Sequence, residues 1–262
     1  MTKNSDGALM KNNVAVYLHG IPGSGAELNL FGTDFAANTD HFFVPKRLDI
    51  SGTTTDAWLA NLAKQIVQHE PRKEVYLTGF SIGAALALRL APLLGDRVVK
   101  IDLVSAAAPL GLGDYLGSMA GKPVFDAAKS GGLHFTVLTR MQSLVAWASP
   151  LLLCKMLLAS AQGDDRALMN DDVFLQAMCD NLQTALGDGL DTYRRELSSY
   201  VEDWRCELEN VSAPVELYHG TADNWSPVQM AHDLAGALPN CVGLNLYDGA
   251  SHYTALKEYL AR

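Results

Sequence analysis

The chain has 262 residues, of which 48% are hydrophobic and 19% are charged, and its net charge is -9. A chain of this composition can bury a full core, and nothing in it is typical of a disordered or fibrous protein. The acidic balance argues against binding to nucleic acid, which needs a basic face, and against docking on anionic membranes. The length fits one large α/β domain, with room for an inserted subdomain.

Three features predict a cytoplasmic protein. Residues 1–13 are polar and lack the apolar core of a secretory signal. The longest apolar stretch, 144–161, is interrupted by Pro150 and Lys155, and it is too short to predict a membrane span. The four cysteines are far apart and form no CxxC motif, which favours reduced thiols over a metal or redox site.

The predicted elements alternate between strands and helices along most of the chain. Short apolar runs predict strands at 14–18, 41–44, 74–80, 98–104, 215–219 and 242–247. Helical periodicity predicts helices at 56–69, 82–94, 139–161, 171–186, 191–204 and 226–238, and a last one after His252. This alternation predicts an α/β fold with a mostly parallel central sheet flanked by helices.

The alternation stops after the fourth predicted strand. Residues 109–205 contain glycine-rich loops followed by helical patterns, and no convincing strand. We therefore predict a core formed by residues 1–108 and 206–262, with a helical insertion over 109–205.

Gly79-Phe80-Ser81-Ile82-Gly83 matches the G-x-S-x-G pattern of a nucleophile elbow. The pentapeptide alone is weak, but a predicted strand precedes it and a predicted helix follows it. In that setting Ser81 is held on a sharp turn that projects its hydroxyl group, and the flanking glycines avoid a clash with the turn. Ser81 is therefore the candidate nucleophile.

A glycine-dense loop follows the first predicted strand, from His19 to Gly25. Acyl transfer needs backbone N–H groups aimed at the developing oxyanion, and this loop can supply one of them. The N–H groups of Ile21 and Ile82 are the candidate pair, because Pro22 cannot donate. His19 is expected to orient the loop.

The spacing of the glycines in this loop excludes two kinds of nucleotide-binding motif. A phosphate-binding loop requires Gly-Lys-Ser/Thr, whereas Gly25 is followed by Ala26. A dinucleotide fingerprint requires a third glycine where Leu28 stands. No ligand cluster for a metal is evident, so the sequence implies neither a metal nor an organic cofactor.

A serine nucleophile needs a histidine to take its proton and a carboxylate to orient that histidine. His252 follows the last predicted strand, and Asp223 follows the fifth. Both positions place these residues at the carboxyl edge of the sheet. Asp102 is the alternative acid, but it falls inside a strand. Among the remaining histidines, only His134 is placed where it could face a pocket.

Four motifs in this order resemble the α/β-hydrolase superfamily. They are the loop beginning His19-Gly20-Ile21-Pro22-Gly23, the elbow at Ser81, the run from His219 to Asp223, and Gly249-Ala250-Ser251-His252. The resemblance covers nearly the whole chain and implies a Ser81–Asp223–His252 triad at the carboxyl edge of the sheet. It also implies that residues 109–205 form a cap. Few residues precede the first strand, so a shortened N-terminal sheet edge is expected.

The resemblance narrows the chemistry without naming a substrate. Ser81 replaces the aspartate of related epoxide hydrolases and dehalogenases, which favours cleavage of an ester, thioester, lactone, amide or C–C bond. A minority of the apolar side chains of the insertion are expected to line a pocket for a small, largely apolar acyl substrate. An acyltransferase, a C–C bond hydrolase and a non-catalytic binding protein remain alternatives, and the oligomeric state stays open.

Overall fold

The computed structural model describes residues 13–32, 35–47 and 54–262. Within them, six parallel strands form one sheet in the order β2-β1-β3-β4-β5-β6. The strands are β1 Asn13–Leu18, β2 Phe42–Phe43, β3 Glu74–Phe80, β4 Val98–Val104, β5 Val215–Gly220 and β6 Cys241–Tyr247. The predicted fold class is confirmed, although β2 is two residues long rather than four. The polar segment 1–12, the expected shortening before β1 and the loop at 48–52 lie outside the described residues.

The helices flank this sheet. They are α1 Ala36–Thr39, α2 Thr55–His69, α3 Ile82–Leu94, α4 Lys122–Ser130, α5 Gly132–Ala148, α6 Pro150–Leu158, α7 Asp165–Leu168, α8 Asp172–Leu186, α9 Leu190–Val201, α10 Val228–Ala237 and α11 His252–Leu260. The helix predicted over 139–161 is in fact two helices, because the ring of Pro150 cannot continue α5 and instead begins α6. Helix α4 was not predicted, since it lies in a glycine-rich stretch.

Apolar layers cover both faces of the sheet, as a parallel sheet requires. Alternate strand residues face opposite sides. On one side, strand residues such as Val16 and Leu77 join a large cluster with side chains of α2, α3 and α10. On the other side, Tyr17 and Tyr218 form a smaller cluster with Leu256 of α11. The sheet thus holds its carboxyl edge rigidly between two packed layers.

The segment between β4 and β5 consists of helices and loops throughout residues 105–214, all of which are described. Its buried side chains, including Phe125 and Phe174, belong to the same large cluster as α2 and α3. The assignment of 109–205 as a separate cap unit stays a prediction. Among the described helices, none combines the length and the hydrophobicity needed to cross a bilayer.

Candidate active site

Ser81 lies on the turn between β3 and α3. Its φ of 56° and ψ of -124° place it in a region that non-glycine residues rarely adopt. A side chain at Gly79 would come within 2.6 Å of the Cα atom of Ala84, and one at Gly83 would collide with the carbonyl oxygen of Leu18. The two motif glycines therefore allow α3 to pack closely against β1 and β3, which keeps Ser81 at the carboxyl edge.

His252 and Asp223 are buried and joined by a hydrogen bond. The Nδ1 atom of His252 lies 2.8 Å from Oδ2 of Asp223. The other carboxylate oxygen accepts the N–H groups of Trp225 and Ser226 at 2.8 and 2.9 Å. These contacts use both oxygens of Asp223 and leave Nε2 as the ring nitrogen of His252 that the carboxylate does not engage.

The charges of this pair shift both pKa values in the direction that a general base needs. Burial raises the pKa of Asp223, but the charge and the hydrogen bond of His252 outweigh it, so the pKa lies below its usual value. Burial lowers the pKa of His252, but Asp223 outweighs that effect and holds the pKa above its usual value. His219, 3.6 Å from the same carboxylate, has its pKa lowered by burial, and its Nε2 lies 2.7 Å from the Ser226 carbonyl oxygen. These contacts connect His219 to the loop that carries Asp223, and the lowered pKa favours the neutral imidazole.

One cleft of about 60 Å³ is lined by Ser81, His252, Ile21 and Ile82. Asp223 stands behind His252, so the structure brings all five predicted site residues to one place. The other walls of the cleft are mostly apolar and include Met119, Phe125, Leu157, Leu197 and Trp225.

The loop after β1 is anchored by a buried carboxylate that the sequence reasoning missed. Glu27 accepts the N–H of Gly20 at 3.0 Å and the hydroxyl of Tyr17 at 2.6 Å. Burial raises the pKa of Glu27 to about 7, against the lowering effect of these two hydrogen bonds. With the Gly20 N–H engaged, the next N–H along the loop is that of Ile21, on the cleft. Ile82 lies in the first turn of α3, where N–H groups have no partner within the helix.

A second cavity of about 370 Å³ adjoins the cleft, and both include Ile21 and Tyr193 in their walls. Its polar lining includes His19, Arg47 and Glu196. Arg47 donates to the carbonyl oxygen of His19 at 2.8 Å, and its Nε lies 3.1 Å from Glu196. These contacts tie His19 into the loop, in agreement with the orienting role expected for it.

Two further residues that sequence reasoning missed hold the histidine in place. Asp165 is fully buried and accepts the N–H groups of Tyr253 and Thr254 at 3.0 and 2.8 Å. It thereby caps α11, the helix that begins at His252. Ser105, with a φ of 45°, donates its hydroxyl to the carbonyl oxygen of His252 at 2.9 Å. Ser105 directly follows β4, at the carboxyl edge of the sheet, so the sequence could have indicated it as a site residue. No local sequence pattern indicated Asp165.

Replacing Asp165 with Asn is expected to weaken the cap and to alter the histidine. The free energy of unfolding should fall by about 1–2 kcal/mol, since charge-assisted hydrogen bonds to N–H groups are lost. The charge of Asp165 also favours protonated His252, so the acidic limb of the rate–pH profile should move to lower pH. Thermal melting and the pH dependence of kcat/KM measure the two effects. The exposed neighbour Asp164, changed to Asn, is the control, and equal behaviour of the two variants would contradict this role.

Two residues weighed for the site lie away from the cleft. His134 was placed where it could face the pocket, but its side chain is exposed on α5. Asp102, the alternative acid, accepts hydrogen bonds from Tyr76 and Tyr259 at 2.6 and 2.9 Å, on β4 rather than beside the imidazole. Over residues 13–32, 35–47 and 54–262, no three His, Cys, Asp or Glu side chains form a group that could hold a metal ion.

The apolar side chains between residues 133 and 158 differ in their exposure. Leu157 borders the cleft, while Phe135, Leu153 and Leu158 are buried. Several others are exposed to solvent: Leu133, Met141, Leu144, Trp147, Leu151, Leu152 and Met156.

A comparison with known families matches residues 7–258 to the serine aminopeptidase family S33, a family of α/β hydrolases. The chain belongs to this family. Among curated relatives, a pimeloyl-[acyl-carrier protein] methyl ester esterase from Aliivibrio fischeri is 26% identical over 248 residues, covering 90% of this chain and 85% of the relative. The enzyme of the same description from Vibrio cholerae is 26% identical, covering 77% and 72%.

Solved structures agree with the fold of this S33-family chain. A bromoperoxidase from Bacillus anthracis superposes with a TM-score of 0.63 at 17% identity, covering 94% of this chain and 88% of that one. An α/β hydrolase from a deep-sea metagenome library superposes with a TM-score of 0.64 at 16% identity, covering 96% and 87%. At these identities the likeness extends to the fold alone. The family match and the esterase relatives identify the chain as an enzyme of the serine-hydrolase type.

Proposed function

We propose that this hydrolase cleaves a carboxylic ester of a small, largely apolar acyl group, with Ser81 as nucleophile, His252 as base and Asp223 as the orienting acid. The observation that carries the proposal is the single cleft that contains Ser81 on its elbow together with His252, whose Nδ1 is bonded to Asp223. The curated relatives support cleavage of an ester bond, because all three are described as methyl ester esterases.

The proposed cycle follows from these contacts. Nε2 of His252 takes the proton of the Ser81 hydroxyl as its oxygen attacks the ester carbonyl carbon, and the N–H groups of Ile21 and Ile82 stabilise the oxyanion. The C–O bond of the ester then breaks, and the leaving alcohol takes the proton from His252. Water attacks the acyl-enzyme, again with His252 as base, and releases the acid. Asp223 stays ionised throughout, in keeping with its lowered pKa.

The two spaces at the site suggest how an ester is divided. The cleft of about 60 Å³ at Ser81 fits only a short acyl chain, and the adjoining cavity of about 370 Å³, with its polar lining, has room for the alcohol part of the ester.

A series of p-nitrophenyl esters of increasing acyl length tests this arrangement. We expect kcat/KM to be highest for short acyl chains and to fall by at least about tenfold for the longest, because the narrow cleft discriminates against added methylenes. Leu157→Ala removes a wall side chain and should raise the rate for long esters relative to short ones. The matched control is Leu152→Ala on the same helix, whose side chain is exposed. A flat series in all three proteins would contradict the proposed substrate size.

The same assay separates the remaining reaction classes. p-Nitroanilides of the same acyl groups report amide hydrolysis, and an added alcohol acceptor reports acyl transfer by formation of a new ester. We expect hydrolysis of esters to exceed both. Faster turnover of the anilides would favour a peptidase, and predominant transfer to the alcohol would favour an acyltransferase.

A further inference from the structure

The outer side of the inserted helices carries an unusual concentration of exposed apolar side chains. Eight of the thirteen exposed large hydrophobic residues among those described lie on α5 and α6. On α5 they are Leu133, Val137, Met141, Leu144 and Trp147, and on α6 they are Leu151, Leu152 and Met156. Leu133 and Trp147 are 79% and 77% exposed. Scattered exposed apolar residues need no explanation, but a contiguous group marks an interaction surface.

The spacing on α5 shows that these residues share one side of the helix. Positions 133, 137, 141, 144 and 147 recur every three or four residues, which places them along one stripe of a 3.6-residue helix. The buried residues Phe135, Thr139 and Ala146 lie on the opposite side. Helix α6 packs beside α5 and adds its own exposed residues. We call this surface, formed by the eight side chains, the outer apolar face.

The charge of this region is opposite to that of the whole protein. No aspartate or glutamate occurs between Asp126 and Asp164, although the chain carries a net charge of -9. The charged residues of that interval are Lys129, Arg140 and Lys155, and the last two are exposed within the outer apolar face. The face is therefore apolar and weakly cationic. This combination, with an exposed tryptophan, is typical of segments that lie at a membrane interface.

We propose that the outer apolar face docks this protein on an anionic phospholipid surface. The net charge alone argued against such docking, but charges beyond about 8 Å are largely screened at physiological salt, so the local face decides. A second copy of the chain is disfavoured as occupant, because a two-fold contact would bury the Arg140 and Lys155 charges of both copies in one interface, and residues 127–163 contain no acidic residue to pair with them. An acidic protein is disfavoured as occupant, because the face has only two exposed cations, Arg140 and Lys155, among eight exposed apolar side chains.

Docking there also bears on the cleft. The inner sides of the same helices contribute Gln142 and Leu157 to its walls. A lipid surface that holds the outer side of α5 and α6 therefore also contacts the helices that border the cleft. The proposal concerns binding, and it stands or falls separately from the proposed ester hydrolysis.

Co-sedimentation of the full-length protein with vesicles tests the proposal. We expect binding to phosphatidylcholine vesicles that contain phosphatidylglycerol, together with a blue shift of Trp147 fluorescence. Leu144→Glu should weaken binding at least about tenfold, since it removes apolar area and adds a repelled charge. The double variant Arg140→Gln, Lys155→Gln should weaken binding by roughly 30-fold, through the loss of two cations near an anionic surface. Leu93→Glu is the matched control, with the same change at an exposed leucine outside the face.

The melting temperature of all these variants should be near that of the wild type, which shows that they are folded. Three results would overturn the proposal. One is the absence of binding, or equal binding by the Leu144→Glu and wild-type proteins. A second is a dimer in sedimentation that Leu144→Glu dissolves, which would assign the face to a second copy. The third is saturable binding of an acyl carrier protein to this face in protein that does not bind vesicles.

Discussion

Ser81→Ala is expected to lower kcat for the preferred ester by about 10⁶-fold while leaving the melting temperature near that of the wild type. The reason is that Ser81 supplies the only proposed attacking oxygen in the cleft, and alanine keeps the Cβ atom that the turn already accommodates. Labelling by a fluorophosphonate probe, with the adduct located by mass spectrometry, measures the same property directly. The wild-type protein should be labelled at Ser81 and the variant should not.

Two controls separate an activated serine from a merely exposed one. His252→Ala keeps the Ser81 hydroxyl but removes its base, so labelling should be largely lost. Ser118→Ala removes an exposed serine outside the cleft and should change nothing. Full turnover by Ser81→Ala would contradict the proposed mechanism. Absence of labelling in folded wild-type protein would favour a non-catalytic binding protein of this fold.

Asp223→Asn is expected to lower kcat by about 10⁴-fold and to move the pH dependence of the remaining activity. In the wild type, His252 must be neutral to accept a proton, so kcat/KM should rise with pH through an apparent pKa above the usual histidine value. The Asp223 carboxylate causes that elevation, against the lowering effect of burial. Without it the pKa should fall, and the acidic limb should move to lower pH.

A rate–pH profile of both proteins on one ester measures this shift. Asp248→Asn, which removes an exposed carboxylate from the loop before His252, should leave the profile unchanged. An acidic limb that stays in place after Asp223→Asn would show that another group sets the pKa, and Asp165 would be the first to examine.

The order and type of the elements could be predicted from local pattern alone. The strands β1 and β3 to β6 are short segments rich in apolar residues, and their positions match within one or two residues. The elbow at Ser81 was predictable for the same reason. Its glycines are required by contacts between adjacent elements, so the motif and its cause lie within one short stretch of chain.

Contacts between distant parts of the chain were not predictable. Asp165 caps the helix of His252 from 88 residues away in sequence, and Glu27 accepts the Gly20 N–H in the loop after β1. Each is an ordinary acidic residue until the fold buries it next to backbone N–H groups. No periodicity or spacing distinguishes such a residue from a solvated one.

The helices between β4 and β5 show most clearly what the sequence predicted and what only tertiary packing decided. Their periodicity predicted helices, and their apolar content predicted that these helices bury part of their surface. It could not determine which side faces inward, because leucines, methionines and a tryptophan occur all round α5 and α6. Only the packing of these helices against α8 and α4 decided that Phe135 and Leu153 are buried while Leu144 and Trp147 are exposed. Burial depends on which neighbours fill the space, and that is a property of the assembled tertiary structure.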